Sequence, residues 1–530
     1  MTRPARVDWT RLLPGALWAL GAVFLVWWAA HNPSADGFQN EYLHHGNALD
    51  LYAALTEPDL HTLRWIAYTG YWPWGFLAVP WPMMALLGPG RLALLLGNLL
   101  HLAALLWGAG RLGRRLEAPL SPALLLLCPG VFGALGRFEP NVATVGWTAA
   151  GLACLIESQG LRSRAWALGW GACLGLGLMF DRLTVLFFLA PAVLPLLRGL
   201  DRRGWRNLGW ASALCLALSG AYYREFFLRH TAELLGQASA GEIDAAGDIF
   251  VTTGALSWAY YPLALIDSQA GPALGALVAL GLLALGARAR AEGGLPRAEQ
   301  VLLAASLPAM LLFTFIAKKQ VYYTLPALAP LLVIAGQRRR LAWLGLLGGL
   351  YAFGAQGIGA LPRGFPAGDW LPARWVSPRH TLARPPSFER WPVAEAIAAL
   401  EARGPVERVL VFSEVERLYE GHLVLMVRAA APGAKIDGLL GNPHGAYELM
   451  GGEQALVLAG PPGLGWPTVA RIHPQLVADH YRLSELPPVA AAVEAEGPAF
   501  ELVGRWRGEG ELSEPIEISA WRRISDEPAP

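Results

Sequence analysis

Four short stretches of this sequence combine groups capable of acid–base and anion chemistry. The first reads Asp36-Gly-Phe-Gln-Asn40-Glu41-Tyr42-Leu-His44-His45. A carboxylate at Glu41 or Asp36 could take a proton from a hydroxyl, and His44 and His45 could bind a polar substrate. Neighbouring side chains on a helix diverge by roughly 100°. The two histidines are therefore poor partners for one ion: a divalent metal is compatible with the segment but not indicated, and no cofactor is implied. The second stretch is Gly136-Arg137-Phe138-Glu139-Pro140-Asn141, and the third is Phe180-Asp181-Arg182. Each sets an acid beside an arginine. The fourth is Lys318-Lys319-Gln-Val-Tyr322-Tyr323-Thr-Leu-Pro326, in a chain whose only other lysine is Lys435. Lysine is a mobile point charge suited to phosphate, and tyrosine hydroxyls add hydrogen bonds. The structural alternatives are a solvated loop, ion pairs at helix ends and snorkelling lysines.

The elements that must position these groups are apolar. The chain has 530 residues, 54% hydrophobic and 16% charged, where a soluble domain is nearer 25% charged. The net charge of +1 gives no indication of nucleic acid, and 22 tryptophans suit a membrane interface. Cys128, Cys154, Cys173 and Cys215 lie in apolar runs and read as small buried hydrophobes. About 20 apolar residues cross a bilayer. The pattern predicts about eleven spans: 12–31, 91–109, 119–136, 142–157, 165–180, 183–198, 207–221, 272–287, 300–316, 321–336 and 341–359. Residues 48–88, rich in Trp and Pro, read as interfacial or re-entrant helices.

Arginine clusters at 111–115, 162–164, 198–206, 288–297 and 338–340 fall in alternate loops. Placing them all in the cytoplasm satisfies the positive-inside rule. The N-terminus is then cytoplasmic, and the turns 32–90, 137–141, 181–182, 222–271 and 317–320 lie outside. Residues 1–360 form a transmembrane region, 361–386 a Pro-rich linker, and 387–530 a small α/β domain in the periplasm or cell exterior. In that domain Arg408–Ser413 and Gln454–Ala459 read as short buried strands. All four chemical stretches share the outer face of the inner (plasma) membrane. A lipid-phosphate substrate has its head group at that depth and its chain among membrane lipids.

The order of these motifs resembles GT-C-fold glycosyltransferases of the protein mannosyltransferase and aminoarabinose transferase type (glycosyltransferase family 39-like). Four landmarks over about residues 10–350 carry the resemblance. They are Asn40-Glu41-Tyr42 after the first helix, Arg137-Phe-Glu139, Gly177-Leu-Met-Phe180-Asp181-Arg182, and Lys319-Gln-Val-Tyr322-Tyr323-Thr-Leu-Pro326. The resemblance implies an inverting transfer of a sugar from a polyprenyl-phosphate donor to a lipid, glycan or protein acceptor. By it, Glu41 is the base and Glu139 a second acid. Arg182, Lys318, Lys319 and Tyr322 hold the lipid phosphate, with Arg137, Tyr323, His44 and His45 nearby. The family's Asp before Glu is Asn40 here, and Asn cannot be a base, so Glu41 or Asp36 must take that role. The competing readings are a transporter or flippase of a lipid-linked substrate, and an inactive GT-C-like scaffold.

Overall fold

The computed structural model describes residues 9–32, 39–56, 72–239, 250–251, 255–316 and 318–361. In the C-terminal part it describes 391–413, 420–431, 433–438, 455–460, 466–472, 500–508 and 516–524, with a few single residues besides. The chain forms two compact units. One holds residues 1–29 and 47–386; the other holds 30–46 and 387–530.

The larger unit is helical. In chain order its helices are α1 (Trp9–His31), α2 (Gln39–Thr56, whose first half belongs to the other unit), α3 (Trp74–Ala78), α4 (Trp81–Leu87), α5 (Arg91–Arg115), α6 (Ser121–Leu126) and α7 (Pro129–Leu135). Then come α8 (Asn141–Glu157), α9 (Arg164–Phe180), α10 (Leu186–Leu197), α11 (Arg202–Ser239), α12 (Ala255–Ala264), α13 (Pro272–Glu292), α14 (Arg297–Phe315), α15 (Leu328–Gly336) and α16 (Arg339–Ala352). Among the described residues α1, α5, α13 and α14 are long and apolar enough to cross a membrane. These helices are those of an integral membrane protein.

α5 is the hub of the larger unit. It has 61% of its apolar window buried, against 22% for α1. Small residues let its neighbours approach closely. A Cβ on Gly146 of α8 would lie 2.4 Å from the His101 carbonyl of α5, and one on Gly108 of α5 would lie 2.5 Å from the Ala149 carbonyl carbon of α8. The four cysteines are all buried, as their apolar surroundings predict.

Three expected spans differ in form. One of them, 321–336, is helical only as the 3-10 turn Leu325–Ala327 and α15 (Leu328–Gly336), because residues 322–324 form a turn ahead of Pro326. The stretch 119–136 is broken into α6 and α7, because Pro129 holds Cys128 in extended backbone (φ −69°, ψ 130°). Every residue of α7 is buried, which is what permits a broken helix inside a membrane unit. The helix expected to stop at 221 continues to Ser239 as α11. No proline interrupts residues 222–239, so nothing in the backbone ends it.

Between helices, β1 (Phe250–Val251) pairs antiparallel with β2 (Lys318–Lys319), Phe250 opposite Lys319. In the second unit, β3 (Arg408–Ser413), β4 (Lys435–Gly438), β5 (Ala455–Gly460), β6 (Phe500–Arg507) and β7 (Glu517–Arg523) form one sheet of order β4-β3-β5-β7-β6. β4, β3 and β5 are parallel, and β7 runs antiparallel to both its neighbours, β5 and β6. Val409 and Val411 pack in one cluster with α17 (Val393–Glu401) and α18 (Glu420–Ala430); Leu410 and Phe412 pack in another with α19 (Trp466–Ile472). Both faces of β3 are covered, which is why its sequence is a continuous apolar run and not an alternating one.

Candidate functional site

The first turn of α8 gathers the acids of two separate sequence motifs. Asn141, its first residue, donates from Nδ2 to Glu139 Oε2 at 2.7 Å. Glu139 also lies at the positive end of the α8 dipole, which favours a carboxylate. One turn further, the Thr144 hydroxyl lies 2.9 Å from the Pro140 carbonyl and 3.2 Å from Asp181 Oδ2. A threonine has one hydroxyl proton for these two acceptors. If it goes to Pro140, Asp181 keeps the contact only by carrying a proton itself. Burial pushes the Asp181 carboxyl up in that direction, opposed by the Leu183 N–H, the Arg182 charge and the Thr144 hydroxyl.

Both turns are fixed by their neighbours. Asn98 of α5 donates to the carbonyls of Leu135 (3.0 Å) and Arg137 (2.8 Å), tying the 135–137 turn to the hub. Phe138 stacks on Phe76 at 4.6 Å, and Phe76 on His101 at 5.8 Å. His101 accepts from Trp147 Nε1 and meets the edge of Phe180. With Phe138 anchored in this aromatic column, Arg137 and Glu139 on either side are held at 2% and 3% exposure. Asp181 accepts from the Leu183 N–H at 2.9 Å and so starts the short 3-10 helix Arg182–Val185. Gly177 of the third motif leaves room for that turn: a Cβ there would lie 2.5 Å from Thr184 Cγ2. The Arg182 guanidinium lies 5.3 Å above the Trp72 ring and 5.4 Å from the Phe226 ring, a cation held by aromatic faces.

The fourth motif also reaches α8. Gln269 donates to the Val321 carbonyl and, at 2.8 Å, to Thr324 Oγ1. Tyr323 packs on Phe313 and on Tyr322. Both tyrosines are half-buried, and the 3-10 turn Leu325–Ala327 after them packs against α8. Three of the four landmark motifs therefore meet around one helix.

The first motif belongs to the other unit. On α2, Glu41, His44 and His45 are buried. His45 Nε2 lies 3.9 Å from Glu41 Oε1, one helical turn away. Burial lowers the His44 pKa from 6.5 to about 3, so its imidazole is neutral. Asp36 lies outside the described residues, as do the side chains of Asn40, Tyr42, Lys318 and Lys319. Among the described residues no three His, Cys, Asp or Glu side chains are placed to hold a metal ion. Sequence reasoning missed Asn98, His101, Thr144 and Gln269. Asn98, His101 and Thr144 are polar residues within apolar runs and Gln269 closes the polar triplet Asp267-Ser268-Gln269 between two such runs, and that oddity was the only available signal.

No protein-family model and no curated protein matches this chain. Solved structures do match it. ArnT from Cupriavidus metallidurans bound to undecaprenyl phosphate aligns at TM-score 0.55 and 13% identity, over 97% of this chain and 98% of that one. The apo state of the same protein aligns at TM-score 0.57 and 14% identity, over 95% and 97%. An Archaeoglobus fulgidus oligosaccharyltransferase in complex with zinc and sulfate gives TM-score 0.45 at 13% identity, over 92% of this chain and 71% of that one, too distant for use. The ArnT alignments show a GT-C fold, the fold that the motif resemblance implies.

Proposed function

We propose that this chain is a membrane glycosyltransferase that moves a sugar from a polyprenyl-phosphate donor to an acceptor outside the cytoplasm, with inversion. In this reading the chain crosses the membrane about eleven times, N-terminus inside, with residues 387–530 outside. The acceptor hydroxyl gives its proton to Glu41, its oxygen attacks the anomeric carbon, and the bond from that carbon to the phosphate oxygen breaks. Arg182, Lys318, Lys319 and Tyr322 stabilise the departing lipid phosphate, where preorganised positive charge is worth most. Glu139 and Arg137 orient the sugar.

The observation that carries this reading is the convergence on α8. Glu139 through Asn141 and Asp181 through Thr144 are bonded to one helical turn, with the Tyr322–Pro326 segment leading into a 3-10 turn packed on the same helix. Buried acids and arginines are costly in a membrane unit, and here they collect at one helix end. The fold shared with a structure that holds undecaprenyl phosphate supports the donor class.

A transfer assay with purified protein, a labelled polyprenyl-phosphate sugar and membrane-extracted acceptors tests it. Loss of the general base costs about 10²–10⁴-fold in rate, and Glu41→Ala is expected in that range. Full activity in both Glu41→Ala and Asp36→Ala would remove the base assignment. A second reading, an inactive scaffold, is favoured by Asn40 in place of the family's Asp. It predicts no turnover of any donor while donor lipid still binds.

A further inference from the structure

We propose that a pocket between α1 and α5, at the end of these helices opposite Asn98, binds the phosphate head group of an anionic phospholipid. The two helices run antiparallel and are tied twice. Arg114 Nη1 donates to the Thr10 carbonyl at 3.3 Å, and Trp18 Nε1 donates to the Leu99 carbonyl at 2.9 Å. Between the ties Pro14 packs on Gly110, where a Cβ would lie 3.0 Å from Pro14 Cγ, and beside this contact a cavity of about 600 Å³ is lined by Arg11, Arg111, Arg114, Trp18 and Trp107, with Gly15 on the α1 side. The rest of the lining is apolar, and no carboxylate belongs to it.

Three guanidinium groups around one hollow give the planar, multiply donating surroundings that phosphate oxygens favour. Two of them are already oriented. Arg114 is held by Thr10, and the Arg111 guanidinium lies 5.2 Å above the Trp166 ring. A cavity of this kind between transmembrane helices suits an acidic lipid head group. Its surroundings favour a lipid over a soluble anion. On α5 the exposed Leu100 (48%) follows the lining residues Trp107 and Ala103 along one helix face, an apolar track on which acyl chains can lie. Trp18 and Trp107 sit at the junction of the charged and apolar parts, the usual interfacial position for indole rings. This site involves none of the residues assigned to sugar transfer and does not depend on that assignment.

Native mass spectrometry of the full chain in neutral detergent tests the site, with phosphatidylglycerol and phosphatidylcholine as competing probes. The wild type is expected to retain phosphatidylglycerol selectively. An arginine near an acidic lipid is worth about fivefold in affinity, so Arg11→Gln/Arg111→Gln/Arg114→Gln should lose on the order of a hundredfold. Gly15→Phe keeps every arginine and puts a bulky ring at the cavity wall between them; a Cβ there meets nothing within 4 Å, so the backbone accepts it. It should also abolish selective retention, and it keeps the site testable if the triple variant does not fold. Arg202→Gln/Arg203→Gln/Arg206→Gln, in the first turns of α11 and outside the cavity lining, should retain the lipid as the wild type does. The proposal is overturned if phosphatidylcholine is held equally well, if Gly15→Phe binds normally, or if the α11 variant loses as much. It is also overturned if inorganic phosphate displaces the lipid as readily as added phosphatidylglycerol, which would make the site one for a free anion.

Discussion

The two ends of the α8–α9 pair handle charge in opposite ways. At the Asn141 end, Arg137, Glu139 and Asp181 are buried, and each motif is locked by hydrogen bonds from another element. At the far end, Arg162 and Asp201 form a 2.9 Å ion pair with side chains 68% and 45% exposed. The far end does hold one buried ion pair, in which Glu299 Oε1 accepts from Arg288 Nη2 at 2.5 Å and from Gln337 Nε2 at 3.1 Å, joining α13, α14 and the end of α15. That pair ties helix ends together, whereas the Asn141 end gathers polar groups from α5, α8 and α9. What sets the Asn141 end apart is the burial and convergence of its charges, not their number.

The comparison can be broken most sharply by removing Glu139. In the transfer assay Glu139→Ala is expected to lower the rate by on the order of a hundredfold while the unfolding temperature in detergent changes little. A large loss of stability with normal turnover per folded molecule would make Glu139 a structural residue. The buried pair at the far end should behave in reverse. Glu299→Ala leaves the Arg288 charge half-buried without its carboxylate, and roughly 2–3 kcal/mol of stability should go. Denaturant unfolding followed by tryptophan fluorescence measures this, and kcat per folded molecule should be unchanged.

A smaller effect comes from Asp181. Its folded pKa is raised above the ordinary 3.8 by burial, so the folded chain binds this proton more tightly than the unfolded one. Stability then falls as pH rises through the interval between 3.8 and the raised folded value, and the deficit persists above it. Asp181→Asn should remove this slope. Unfolding temperatures of the variant and wild type, taken across acidic to neutral pH, should diverge as pH rises, with the variant higher at neutral pH. Parallel curves would show that the hydrogen bonds from Leu183 and Thr144 outweigh burial. The smallest effect belongs to the exposed pair: Arg162→Ala should leave both turnover and unfolding temperature unchanged, since exposed ion pairs contribute little.

The sequence by itself determined much of this. Long apolar runs bounded by arginines can only be buried or membrane-embedded, because a helix satisfies its own backbone polar groups and its side chains have no affinity for water. That logic located the helices and picked out Arg137, Glu139, Asp181 and Arg182 as charges at helix ends, either local ion pairs or part of a site. RVLVFS and ALVLA, apolar on both faces, could be read as covered strands for the same reason. The tertiary structure decided what local pattern cannot encode. Glu139 and Asp181 are 42 residues apart in sequence, and only the packing of α9 on α8 brings Thr144 to Asp181. Asn98 and Gln269 look like stray polar residues until the carbonyls they accommodate, 37 to 52 residues away, are in place. The break at Pro129 depended on whether surrounding helices could cover the backbone, as they do over the whole of α7. The physical reason is that hydrophobic periodicity is a property of one segment, whereas a hydrogen bond between segments depends on the position of both.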